Sequence, residues 1–239
     1  MYATLIKHFF FLLVLNACSS ICFAGLQVGG TRIIFPSTDR EASIQVRNEG
    51  AEDIMIQSWI EAPPGQDASE VPFAITPSLA RLSYKKQQML RVFYQGEGLP
   101  MDRESVFWLS IQEIPQVSKT ENSLQVAFRQ RLKLFFRPAK LPGTPDEAAK
   151  KLKWSFVKGA IEPMLLVNNA TAFHVSLGSV AVLAGGKKYT VEAQMVSPNA
   201  TTKMKINELP KHYSGALSVV WESVNDYGAL VKHEADLAL

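Results

Sequence analysis

Ala42-Ser43-Ile44-Gln45-Val46-Arg47 decides the fold class: apolar and polar side chains alternate with period two, and the run closes on Asn48-Glu49-Gly50. Successive side chains of an extended chain point to opposite faces, so this pattern buries one face of a strand and wets the other. A helix would need apolar residues three and four apart. No stretch of the chain sustains that spacing over four turns.

The same pattern extends outward. Ile54, Ile56, Ser58 and Ile60 share one parity, and Leu90-Arg91-Val92-Phe93-Tyr94 runs into Gly96-Glu97-Gly98. Val106-Phe107-Trp108-Leu109-Ser110-Ile111 is a more continuous apolar run, predicted to be a strand covered on both faces and ended by Pro115. The longest predicted strand runs from Ser123 to Arg137, with Leu124, Val126 and Phe128 alternating against Gln125, Ala127 and Arg129. Pro138, Pro142, Gly143 and Pro145 then follow in quick succession, a composition that marks a hinge. Strand-like runs resume at 153–157, 164–168, 173–183, 189–196, 217–224 and from Ala229. About seven short strands on each side of a hinge predict an all-β chain of two sandwich domains in tandem, over 25–140 and 146–239. No internal repeat is visible between the halves.

The 239 residues suffice for two such domains of about 100 residues each. With 47% apolar residues the chain can build a core, and a net charge of +3 is too mild to call for nucleic acid. Residues 1–24 read as a secretion signal. Lys7 and His8 precede Phe9-Phe10-Phe11-Leu12-Leu13-Val14-Leu15, too short for a bilayer span of about 20 residues. Cys22-Phe23-Ala24 supplies a small-residue cleavage site before Gly25. An alternative takes Leu15-Asn16-Ala17-Cys18 as a lipoprotein box that would leave Cys18 lipidated. Both cysteines fall inside the leader, so cleavage after Ala24 leaves neither a disulfide nor a thiolate metal site.

Catalytic constellations are absent from the sequence. His174, His212 and His233 are too scattered for a metal pair, and no nucleophile elbow, phosphate loop or dinucleotide fingerprint occurs. Each histidine reads as a surface or packing residue. Gly185-Gly186-Lys187 sits between strand candidates and reads as a tight hairpin. Trp59, Trp108, Trp154 and Trp221 mostly lie within strand runs and read as core. No enzyme activity and no cofactor are expected.

Four segments, in order, resemble the periplasmic pilus chaperones, the PapD-like family. Thr31-Arg32-Ile33-Ile34-Phe35 is similar to the family's first-strand motif. Asp102-Arg103-Glu104-Ser105-Val106-Phe107-Trp108, continuing to Glu113-Ile114-Pro115, is similar to its D-R-E-S-x-F…E-I-P signature. The run from Leu124 through Lys133-Leu134-Phe135-Phe136-Arg137-Pro138 is similar to its long donor strand, and Asn225-Asp226-Tyr227-Gly228 to its N-D-Y-G turn. Any one motif is weak; four in register are specific.

The resemblance implies two immunoglobulin-like sandwiches in a boomerang around an interdomain cleft. It implies a periplasmic chaperone that completes pilin-like subunits by donor-strand complementation and delivers them to an outer-membrane usher. Arg32 and Lys133 would hold the subunit's C-terminal carboxylate; two cations converging on one anion give charge-assisted hydrogen bonds. Leu124, Val126 and Phe128 would be donated to the subunit's groove by β-augmentation. Filling their own domain's core would show the same period of two, so spacing does not separate these readings. Lys133 has the opposite parity to Phe128, so a strong twist or a bulge between them would be needed if both meet the same subunit. Glu104, Arg137 and Asp226 would form an interdomain ion cluster that sets the hinge angle.

The chain departs from the many family members that carry a disulfide near the end of the second domain. The short connection from Pro115 to Leu124 is similar to the subgroup serving rod-like or thicker pili. Whether two copies cap each other's apolar strands stays open. The runner-up reading is a secreted immunoglobulin-like pilus subunit or adhesin, but such cargo usually has a cysteine pair and one incomplete domain.

Overall fold

The computed structural model describes residues 25–65, 71–115, 122, 124, 126–157, 163–210, 213 and 215–237. The expected leader, His212, Ser123 and Gln125 lie outside the described residues. The elements in chain order begin with β1 (Leu26–Val28), β2 (Arg32–Pro36), β3 (Glu41–Asn48), β4 (Ile54–Glu61) and β5 (Phe73–Thr76). They continue with β6 (Leu79–Leu82), β7 (Gln87–Tyr94), β8 (Ser105–Ile114), β9 (Arg129–Arg137) and the helix α1 (Pro145–Lys150). The second half holds β10 (Lys153–Val157), β11 (Met164–Asn169), β12 (Leu177–Ala184), β13 (Lys187–Thr190), β14 (Ala200–Lys205), β15 (Leu217–Val224) and β16 (Leu230–Asp236).

The first sandwich faces a sheet of order β1-β3-β7-β5 against one of order β2-β9-β8-β4-β6; the second faces β10-β11-β14 against β13-β12-β15-β16. Alternation explains the layers. Ile44 and Val46 of β3 and Leu90 and Val92 of β7 point inward, where they meet Leu109 and Ile111 of β8 and Leu132, Leu134 and Phe136 of β9. The second core gathers Leu165, Val167, Val182, Met204, Val219 and the tilted ring pair of Trp154 and Trp221. Burying each such large side chain is worth about 1.5–3 kcal/mol.

Several boundaries differ from the sequence reading. β9 starts at Arg129 and not at Ser123, because its pairing with β8 ends at Gln112↔Arg129. Among the described residues, one further bond follows, from the Glu113 N–H to the Phe128 carbonyl (3.0 Å). The run expected over 173–183 becomes a strand only at Leu177; Val175 makes an isolated bridge to Val196. The short strands β1, β5, β6 and β14 have no clean apolar alternation and escaped the reading. Within the hinge, Thr144 caps α1 by accepting the Glu147 N–H, with Pro145 in the first turn. That helix drops Ala148 and Ala149 into the second core. Gly185 and Gly186, at φ 57° and 77°, make the tight hairpin between β12 and β13, as expected.

A repeat exists in three dimensions. Asn48 ends β3 and Asn169 ends β11, both fully buried. Asn48 donates to the Glu52 and Leu82 carbonyls (2.7 and 3.0 Å), and Asn169 to those of Phe173 and Ser197 (2.7 and 3.0 Å). Each accepts the backbone N–H two residues on. The two domains thus share a buried amide plug at the same strand end.

Candidate functional site: the cleft between the domains

β2 and β9 are parallel neighbours with Arg32 opposite Lys133, so the two side chains leave the sheet on the same face. That face looks at the second domain. The Arg32 guanidinium donates to the Val224 carbonyl (2.9 Å) and lies over the Phe135 ring, while its Nε is buried without a partner. The Lys133 ammonium donates to Ser176 Oγ (2.9 Å) and lies over the Trp108 ring. Both cations of the first domain are therefore held by groups of the second. Burial, and then the charge of Arg32, bring the Lys133 ammonium down to about 8. Burial also lowers Arg32, against the pull of Asp226 and Glu104. Two desolvated cations side by side form a site that an anion relieves.

Behind them, Arg137 joins the domains. Its Nε donates to Glu104 Oε1 (2.7 Å), and its two terminal nitrogens grip both oxygens of Asp226 (2.6 and 2.9 Å). Burial alone would lower Arg137, yet the hydrogen bonds and charges of Asp226 and Glu104 outweigh it and raise it. The other Glu104 oxygen accepts the His174 N–H (2.8 Å). Asp226 sits in a turn stapled by Asn225, whose side chain accepts the N–H groups of Tyr227 and Ala229. Gly228 closes that turn at φ 84°, and a Cβ there would stand 2.6 Å from Thr31 Oγ1. Glycine is required both for the backbone and for the approach of the first domain.

Leu124, Val126 and Phe128 are exposed (90%, 55% and 64%) and join neither core. The register of β9 against β8 runs without a shift from Arg129 to Phe136, so no bulge lies in that stretch. Two of the tryptophans read as core, Trp59 and Trp108, instead lie partly exposed on the outer face of the five-stranded sheet beneath arginines. Ser176, His174 and the Val224 carbonyl were missed. No motif in the sequence brings 174–176 or 224 next to β2 and β9.

Comparison with known proteins bears on this geometry. The family described as "Pili and flagellar-assembly chaperone, PapD N-terminal domain" matches residues 25–142, and "Pili assembly chaperone PapD, C-terminal domain" matches 147–235. The chain belongs to the pilus-assembly chaperones. The probable fimbrial chaperone YadV of Escherichia coli K12 is 35% identical to this chaperone over 232 residues, 92% of this chain and 93% of that protein. The crystal structure of the YadV chaperone superposes with a TM-score of 0.79 over 90% of this chain and 100% of that one. The Salmonella enterica SafB chaperone, solved in complex with the SafA pilin, gives 28% identity and a TM-score of 0.76, covering 92% of this chaperone and 99% of the matched chain.

Proposed function

We propose that this chaperone captures a pilus subunit by lending it the open edge of β9 and anchoring its C-terminal carboxylate between Arg32 and Lys133. The observation that carries the reading is a step in the sheet. β8 flanks β9 from Arg129 to Phe136, whereas β2 flanks it only from Lys133 onward. Among the described residues, no strand pairs with the β2 side of 129–132, and no strand's register extends to Leu124, Val126 or Phe128, where Glu113 of β8 bonds to the Phe128 carbonyl. An incoming strand would take the lane that β2 leaves vacant and end where β2 begins, beside Arg32 and Lys133. A strand whose C-terminus lies there, and whose body lies toward Leu124, runs parallel to β9.

Parity supplies the rest. Leu132, Leu134 and Phe136 point into the chaperone's own core, and Leu124, Val126 and Phe128 have the same parity beyond its end. One alternation would thus serve two cores, its own and the subunit's. The anchor needs no bulge: the carboxylate ends its strand on the outer face, and the apolar plugs enter from the inner one. Glu104, Arg137 and Asp226 would keep the two walls of the cleft at the angle this requires. The completed subunit would then pass to an outer-membrane usher. We take residues 1–24 as the leader that exports the chain to the periplasm, with domains over 25–140 and 146–239. The role is capture, with no reaction assigned.

The test is co-expression with a pilin-like subunit. The native chaperone is expected to give a 1:1 complex, and Arg32→Ala or Lys133→Ala to lose it while the free chaperone keeps its melting temperature. Normal complex yield from both variants would end the anchoring role.

A further inference from the structure

The stretch of β9 that lacks β2 is fastened from its outer face. Arg129, Arg131 and Lys133 share the parity opposite to the core residues, and each lies over an indole of the same sheet. Arg129 is over Trp59 of β4 (4.8 Å to the ring centre), and Arg131 (4.8 Å) and Lys133 (5.8 Å) are over Trp108 of β8. Glu61, at the end of β4, ties the row together: it pairs with Arg129 and with Arg131 (3.0 Å), and it accepts the Trp59 indole N–H (2.6 Å). Ser110 of β8 accepts from Arg129 as well (2.9 Å). Burial pushes the Glu61 carboxyl up, but the Trp59 hydrogen bond and the two arginines outweigh it and hold it low.

We infer that Trp59, Glu61 and Trp108 are positioning residues that hold the uncovered half of β9 in strand geometry while leaving its edge free for a guest strand. A strand bonded on one side only frays, and fraying would add an ordering cost to every capture. Covering the edge with another strand would cure the fraying and block the site. A ladder of cation–π contacts and one carboxylate, built on the outer face, fastens 129–133 to β8 and β4 without touching the edge groups. It also places the Lys133 ammonium, which donates to Ser176, over the same ring that carries Arg131.

The inference rests on the capture reading, but its first test does not. Hydrogen exchange is followed residue by residue in the free chain for Glu61→Gln, Trp108→Leu and Trp108→Phe. In Glu61→Gln and Trp108→Leu, the amides of 129–132 bonded to β8 are expected to lose about tenfold in protection. Those of 134–137, where β2 closes the other edge, are expected to keep theirs. Trp108→Phe retains an aromatic face and is expected to restore most of the loss, which a bulk-packing role for a bulky side chain would not distinguish from Leu. Unchanged protection at 129–132 overturns the ladder, and so does a loss spread evenly through the first sandwich. Should Trp108→Leu fail to fold, Glu61→Gln decides alone. In the second arm, subunit capture by Glu61→Gln is expected to be about tenfold slower with Arg32 and Lys133 intact. Capture at the native rate despite a frayed strand overturns the functional half. A native chaperone that captures nothing overturns the proposed function and leaves the exchange arm to judge the ladder.

Discussion

Burial first, and the Arg32 charge second, bring the Lys133 ammonium from 10.5 down to about 8. The consequence for stability has a definite sign. Between about pH 8 and 10.5 the unfolded chain holds the Lys133 proton more tightly than the folded one. The penalty is therefore present in full below pH 8 and fades as pH rises toward 10.5. Capture runs the other way, because a carboxylate selects the charged ammonium. The affinity for a peptide bearing the subunit's C-terminal carboxylate is expected to fall about tenfold between pH 7 and 9. Lys133→Arg, which keeps its charge, is expected to flatten that profile. Calorimetric titration across this range checks both, and a flat native profile would remove Lys133 from the anchor. At this scale the sequence was informative about residue type and silent about surroundings. Arg32 and Lys133 could be named from their motifs, whereas Ser176, the Val224 carbonyl and the Trp108 ring that surround them come from distant segments.

β9 is the element on which the proposed function turns. Its alternation was legible from Leu124 to Arg137, yet its hydrogen-bonded part begins only at Arg129. Period two specifies which side chains share a face, not whether a neighbouring strand is there to pair. Leu124, Val126 and Phe128 are exposed and join neither core of the chain, which fits the proposed donor role. Replacing Val126 with Asp is expected to leave the free chaperone's melting temperature within about a degree, because the side chain is already in water. The same change is expected to weaken subunit capture at least tenfold by placing a charge in an apolar groove. Thermal melts and complex yield measured together check this. A destabilised free chaperone would mean that Val126 supports its own fold. The helix α1 shows a complementary failure of reading. Thr144, Pro145 and Glu147 carried a helix start signal, but the density of proline and glycine around them read as a hinge.

Charged side chains carry several of the contacts that join the two sandwiches. Arg137 stands at the end of β9 and takes one carboxylate from the first domain and one from the second. The Gly228 turn rests on Thr31. Arg137→Ala leaves Glu104, 2% exposed, without its cation and is expected to cost about 3–5 kcal/mol. It also cuts the tie to Asp226, so the two domains are expected to melt separately in scanning calorimetry. A single unshifted transition would show that the remaining contacts, Arg32 to Val224 and Lys133 to Ser176 among them, couple the domains without Arg137. His174 belongs to the same joint. Its N–H holds Glu104 and its ring lies beside Phe135, a packing role consistent with the reading of the histidines as scattered.

The order of motifs and the period-two alternation were sufficient to read an all-β tandem and its family from the chain alone. These are local properties: strand patterning and turn chemistry act between residues a few positions apart. What only the tertiary structure decided is the step in the sheet, where β2 stops short and leaves one edge of β9 open, and the indole and carboxylate row that backs it. Both depend on which strands become neighbours, and pairing between segments a hundred residues apart is set by the packing of the whole core rather than by any short run within it.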